Sequence, residues 1–235
     1  MTIRKIPEAV APPRPQAYRP DIDDRAQARW SAPQTAEADE ADTTVSIYQP
    51  IGAGYFDDGF TVARMAAALR RIGPRAVTVN INSPGGDMFE GLAIYNLLRE
   101  HPAAVNVRVM GLAASAASVI AMAADELSVS AASFLMIHNA WGVVVGNRHD
   151  MVDAAAVFEQ FDGVMRDLYA ARTGSPAREI AAMMDAETYI PAAEAVRRGF
   201  ADRLVNEPQR PAPESRAPRQ DNAAALARLL HTIKS

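Results

Sequence analysis

The chain has 235 residues, 49% of them hydrophobic, enough for one well-packed domain plus tails. It contains no cysteine, which excludes a thiol nucleophile, disulfides and thiolate metal sites together and fits a reducing compartment. A net charge of -4 with no basic stripe argues against a nucleic-acid surface, and no apolar run reaches the length of a membrane-spanning helix.

Six prolines within the first 40 residues, mixed with Ala, Arg and Asp, predict a flexible arm over residues 1–43. The opening "MTIRKIPEAVAPPRPQAYRP" lacks the apolar core of a signal peptide, so a cytoplasmic protein is expected. Residues 44–206 then alternate strand and helix signals. "TVSIYQPIG" (44–52) reads as a strand, "FTVARMAAALRRIG" (60–73) as a helix, "AVTVNINS" (76–83) as a strand and "DMFEGLAIYNLLREH" (87–101) as a helix. The strand "AAVNVRVM" (103–110) leads into a small-residue helix from about Ser115. Strands "ELSVS" (126–130) and "SFLMIHNA" (133–140) come next, then a long helix over 148–173. Alternation of this kind predicts parallel βαβ units and an α/β fold with its site at the strand ends. A second Pro-rich stretch opens the tail, 207–235, in which "DNAAALARLLHTIKS" can form a short amphipathic helix.

Four stretches carry chemistry. "INSPGGD" (81–87) follows an apolar strand and opens a helix, so its Gly pair can turn the backbone sharply and project N–H groups at a ligand. It matches neither the phosphate-loop nor the dinucleotide spacing, and the functional reading left is an oxyanion hole. "GLAASAAS" (111–118) sets two serines among residues too small to fill a core. A nucleophilic serine at a helix start needs such neighbours so that a peptide carbonyl can approach, while close helix packing would select the same residues. By position either Ser115 or Ser118 could be that serine. Of four histidines, only His138 closes an apolar strand, in "SFLMIHNAW". A Gly-Gly donor loop, a serine in a small-residue turn and a strand-end His are the parts of a serine hydrolase. The orienting carboxylate would come from "MMDAETYIPAAEAVRRGFAD", which offers Asp185 and Glu187 before a short strand and a helix.

Taken in order, "NINSPGGDMFEGLAIYNLL", "GLAASAASVIAMAAD", "MIHNAWG" and "ETYIPAAEAVRRGFAD" resemble the ClpP-type serine peptidases over about 45–205. The likeness is nearest to the phage and prophage branch of head-maturation (prohead) proteases. The resemblance implies Ser115 as nucleophile, His138 as general base and the N–H groups of Gly86 and Ala116 as oxyanion donors, and it leaves Ser118 as a packing residue. The family's catalytic Asp falls on Glu187. Asp185, on the same face if the segment is extended, competes for that role. It further implies a crotonase-like βαβ spiral with a projecting handle, here the 148–173 helix and "GVVVG" (142–146). Subunits would assemble into a ring or stacked rings, acting on polypeptides such as capsid or scaffold proteins, with a possible ATPase unfoldase and no metal or organic cofactor. The apolar Val143–Val145 run between two glycines would make a poor solvent-exposed edge, which suggests pairing with another subunit, against a hairpin buried within one subunit. A housekeeping proteolytic subunit, a crotonase-type acyl-CoA enzyme and an inactive ring scaffold are the rival readings.

Overall fold

Val77, Val79 and Ile81 in one strand and Val105, Val107 and Val109 in the next are almost wholly buried, each alternating with a less buried residue. β-Branched residues at this period suit a sheet covered by helices. The computed structural model describes residues 43–53 and 59–205. The expected arm, tail and terminal helix lie outside the described residues. The elements are β1 (Thr44–Ile47), α1 (Val62–Ile72), β2 (Val77–Ser83), α2 (Met88–Arg99), β3 (Val105–Ala114), α3 (Ala116–Ala121) and β4 (Glu126–Ser130). They continue as β5 (Phe134–Ile137), α4 (Arg148–Thr173), α5 (Ala177–Asp185), β6 (Thr188–Pro191), α6 (Ala192–Arg197) and β7 (Arg203–Val205).

The main sheet runs β1-β2-β3-β4-β7, all parallel. The α/β expectation holds: α1, α2 and α3 each carry the chain from one parallel strand to the next between β1 and β4. β3 is the hinge of the layout. Its first half pairs with β4 through Asn106–Val109, and its last residues, Leu112–Ala114, pair with β5 instead. β5 in turn pairs antiparallel with β6. At the changeover Asn82 Oδ1 accepts the Leu112 N–H at 3.1 Å, next to a register shift in the β2–β3 ladder. A Cβ at Gly111 would stand 2.7 Å from that amide oxygen, so a larger residue there would have to push the Asn82 side chain off the Leu112 N–H.

Several boundaries differ from the sequence expectation. β1 ends at Ile47, with Ile51 forming only isolated bridges to Phe60 and Gly86. β3 extends four residues past Met110, because the small "GLAA" segment finds β5 as a partner. β5 stops at Ile137, which leaves His138 just beyond it. α5 is a helix the sequence reading passed over; its signal is the Ile180/Met184 pair, one turn apart and both buried.

α4 is 26 residues long, about 39 Å at helical rise, and buries only Met165 and Tyr169, both near its C-terminal end. Its N-terminal half projects; the helix is opened by an Asn147–Asp150 capping box and closed by left-handed Gly174. Met151, Val152, Val157 and Val164 remain exposed along it. The 142–146 segment forms no strand within the subunit, and Val143 and Val145 are 67% and 73% exposed. A hairpin buried in its own subunit is therefore not what this segment forms. No helix among the described residues is long and apolar enough to cross a membrane.

Candidate active site

β3 carries the chain directly into Ser115, at the point where the sheet divides between β4 and β5. Ser115 takes φ 53 and ψ -127 as the N-cap of α3, a conformation that costs a non-glycine residue about 1–3 kcal/mol. The turn is held by the Ser115 N–H donating to the Met136 carbonyl of β5 at 2.9 Å. The strain lifts the hydroxyl out of the helix and toward the end of β5. There His138 Nε2 lies 2.7 Å from Ser115 Oγ. The sequence places these two side chains apart; the β3–β5 pairing brings them into hydrogen-bond contact.

His138 is 8% exposed. Burial pushes its pKa below the ordinary imidazole range, while the carboxylate of Glu187, and after it that of Asp162, pull it back up. An imidazole kept neutral in this way can accept a hydroxyl proton, and a nearby carboxylate can stabilise the cation that results.

Asp185 and Glu187 do not share a face of an extended segment, contrary to expectation. Asp185 is the last residue of α5, and the chain reverses through Ala186 and Glu187, the latter at φ 46. The Asp185 carboxylate instead accepts a hydrogen bond from Asn139 Nδ2 at 2.8 Å. Ser115 and Glu187 are the two non-glycine residues with positive φ among those described. Asp162 was missed by sequence reasoning. It accepts the Ala140 N–H at 2.6 Å and so fastens the segment after His138 to α4. The available signal was an acid set within the apolar positions Phe158, Phe161 and Met165 of that helix.

The Gly-Gly loop lies against the serine. Ser83 Oγ, fully buried, donates to the Gln49 carbonyl at 2.6 Å and accepts the Gly85 N–H at 3.2 Å. The Ile51 N–H donates to Gly85 O and the Asp87 N–H to Ile51 O, at 2.8 and 2.9 Å. A Cβ on Gly85 would come within 2.7 Å of Ser115 Cβ. Asp87 then caps α2 by accepting the Glu90 N–H at 3.0 Å. Among the described residues, neither the Gly86 nor the Ala116 N–H donates to a backbone acceptor. Ser118 does more than pack: its hydroxyl donates to the Ser115 carbonyl at 2.7 Å and meets the Tyr169 hydroxyl at 2.8 Å.

The serine and imidazole open onto a cleft of about 710 Å³ lined by Gly86, Met88, Phe89, Trp141, Phe158 and Phe161 among others. Phe89 and Phe161 meet edge to face, with centroids 5.0 Å apart. The cleft is therefore apolar and aromatic beside a strongly polar pair, a shape suited to seating a bulky apolar side chain.

A strained serine hydrogen-bonded to a buried imidazole, at the strand ends of an α/β sheet, is the site architecture of serine hydrolases. The comparisons with known proteins narrow the class. The Clp protease family model matches residues 42–208. The chain is 34% identical over 147 residues to the ATP-dependent Clp protease proteolytic subunit 3 of Rhodococcus jostii, covering 62% of this chain and 73% of that one. It is 30% identical over 188 residues to the ATP-dependent Clp protease proteolytic subunit of Pleurastrum terricola, covering 76% and 95%. An asparagine-to-aspartate mutant of ClpP1 from Listeria monocytogenes shares the fold, with TM-score 0.60 and 20% identity over 71% of this chain and 92% of its own. The chain belongs to the Clp protease family, whose members are serine endopeptidases that form oligomeric rings and work with ATPases.

Proposed function

We propose that this chain hydrolyses peptide bonds through Ser115, His138 and Glu187, with the N–H groups of Gly86 and Ala116 as the oxyanion hole. The observation that carries the reading is the 2.7 Å contact between Ser115 Oγ and His138 Nε2, made by a serine in a strained turn beside two N–H groups without backbone acceptors. His138 Nε2 takes the hydroxyl proton as Ser115 Oγ bonds to the carbonyl carbon. The oxyanion hole stabilises the negative oxygen, and His138 returns the proton to the departing amine. Water, deprotonated by His138, then releases the acyl group and regenerates the serine. The carboxylate nearest in effect to the imidazole is that of Glu187, and its left-handed backbone, like that of Ser115, is a strained feature of the kind that clusters at functional sites. Asp185 is engaged by Asn139 and is the weaker choice.

The aromatic cleft favours substrates with a bulky apolar side chain next to the scissile bond. The exposed valines at 143 and 145 and the projecting helix support assembly of the 44–206 peptidase domain into a cytoplasmic ring, fed by threaded chains or by an ATPase unfoldase. The finer role, processing of capsid or scaffold proteins in an assembling phage head, rests on the motif resemblance. Mass spectrometry of the chain co-expressed with its genomic neighbours, wild type against Ser115→Ala, tests it. Serine-dependent cleavage of a neighbouring capsid or scaffold protein is the expected outcome. Cleavage confined to unrelated unfolded chains makes the protein a housekeeping subunit. Failure to label with a fluorophosphonate, or tight acyl-CoA binding, turns the reading toward a silent scaffold or a crotonase-type enzyme.

A further inference from the structure

Ser118 and Tyr169 stand outside the Ser–His pair, yet both are completely buried and hydrogen-bonded to each other beneath it. A serine hydroxyl has one proton. Ser118 Oγ gives that proton to the Ser115 carbonyl, so in the 2.8 Å contact it must accept from Tyr169. The result is a directed chain, from the Tyr169 hydroxyl to the Ser118 hydroxyl to the Ser115 carbonyl. Burial pushes the Tyr169 phenol well above its ordinary range, which keeps it a neutral donor near neutral pH.

The chain ends on a particular peptide unit. The Ser115 carbonyl and the Ala116 N–H belong to one planar group and point in opposite directions, so whatever holds the carbonyl also aims the N–H. The Ser118 and Val119 N–H groups reach the same carbonyl at 2.9 and 3.2 Å. Both belong to α3, the six-residue helix that starts at this very turn, so these bonds tie the carbonyl only to its own helix. Tyr169 is rooted in α4, a separate element, and supplies the outside reference that a strained Ser115 needs.

We propose that Tyr169 is a positioning residue for peptide hydrolysis: acting through Ser118, it sets the Ser115–Ala116 peptide plane and thereby aims the Ala116 oxyanion donor. The inference rests on the Ser115 reading above. It is tested on the full chain by the rate at which a fluorophosphonate probe labels Ser115, measured as a function of probe concentration and pH. Tyr169→Phe is expected to lower the maximal labelling rate about tenfold, short of the ~10²-fold cost of losing an oxyanion donor outright, with the half-saturating probe concentration unchanged. The pH midpoint, set by His138, stays where it is. Ser118→Ala slows labelling to a similar degree, and the double variant is no slower than either single one, because the two hydroxyls act as a unit. Arg172→Met is the stability control. It removes hydrogen bonds to the Phe200 and Ala124 carbonyls and to Asp202 at the same end of α4 without touching the turn, and it should lower Tm but not the labelling rate. A Tyr169→Phe variant that loses Tm like the control yet labels within about twofold of wild type overturns the proposal. If Tyr169→Phe does not fold, Ser118→Ala decides by the same two outcomes. Wild-type protein that fails to label overturns the Ser115 reading itself, and the positioning role with it.

Discussion

Replacing Gly86 with alanine tests the oxyanion hole at a point where the structure supplies the magnitude. A Cβ at Gly86 would lie 2.2 Å from the Ile51 carbonyl oxygen, 2.9 Å from its nitrogen and 3.0 Å from its carbonyl carbon. Real Cβ contacts essentially never fall under 3.0 Å, so the loop must retreat by about 0.8 Å. No side chain can absorb that movement, because all three atoms are backbone and are clamped by the Ile51–Gly85 and Asp87–Ile51 hydrogen bonds. An N–H donor works within roughly 2.7–3.1 Å of the developing oxyanion, so a displacement of this size takes it out of range. The expected loss is ~10²-fold in turnover, accompanied by about 1–2 kcal/mol of stability from the weakened bridge. Turnover of a fluorogenic peptide and thermal unfolding measure the two effects separately. Gly73→Ala is the matching control. Its φ of 70 carries the same kind of strain, but nothing lies within 4 Å of the added methyl. It should lose about 1 kcal/mol of stability and no turnover. If Gly86→Ala loses only what Gly73→Ala loses, the Gly86 N–H is not an oxyanion donor.

Ser115→Ala should abolish fluorophosphonate labelling, whereas Ser118→Ala should still label to completion, only more slowly; labelling that survives at Ser115→Ala removes this serine from the mechanism. Glu187→Gln should cost ~10²-fold or more in turnover and Asp185→Asn only a few-fold, with similar Tm; the reverse ranking hands the role to Asp185. His138 must be neutral to accept the serine proton, so activity rises with pH through its pKa. Burial holds that pKa under the ordinary value of 6.5, so the acid limb of the rate profile should have its midpoint below 6.5. Glu187→Gln removes the foremost carboxylate raising that pKa, so the midpoint should move further toward acid; a midpoint moving upward contradicts the assignment. Light scattering should report a multimer for the wild type and smaller species for Val145→Asp, since a charge on a covered apolar surface is left unpaired. A wild-type monomer at micromolar concentration contradicts ring assembly.

The strand–helix alternation, the Gly-Gly turn, the serine among small residues and the strand-end histidine were all legible in the sequence. Each is a local demand that a short run of residues meets for itself: period-two burial, positive φ at glycine, room around a hydroxyl. The four ordered motifs likewise pointed to the family that the comparisons then established. What the sequence left open concerns partners distant along the chain. Spacing alone left Asp185 and Glu187 open and the family pattern favoured Glu187; that Asp185 ends α5 while Glu187 is left-handed is a matter of backbone dihedrals, of which spacing says nothing. Asp162 went unremarked because no local pattern shows that α4 packs beside Ala140. Ser118 read as filler because its partner, Tyr169, stands 51 residues away. Periodicity records which face of an element leaves water, and that is a property of neighbouring residues. Which acceptor a buried donor finds is decided only when desolvation favours pairing it with whatever the tertiary packing has brought within reach.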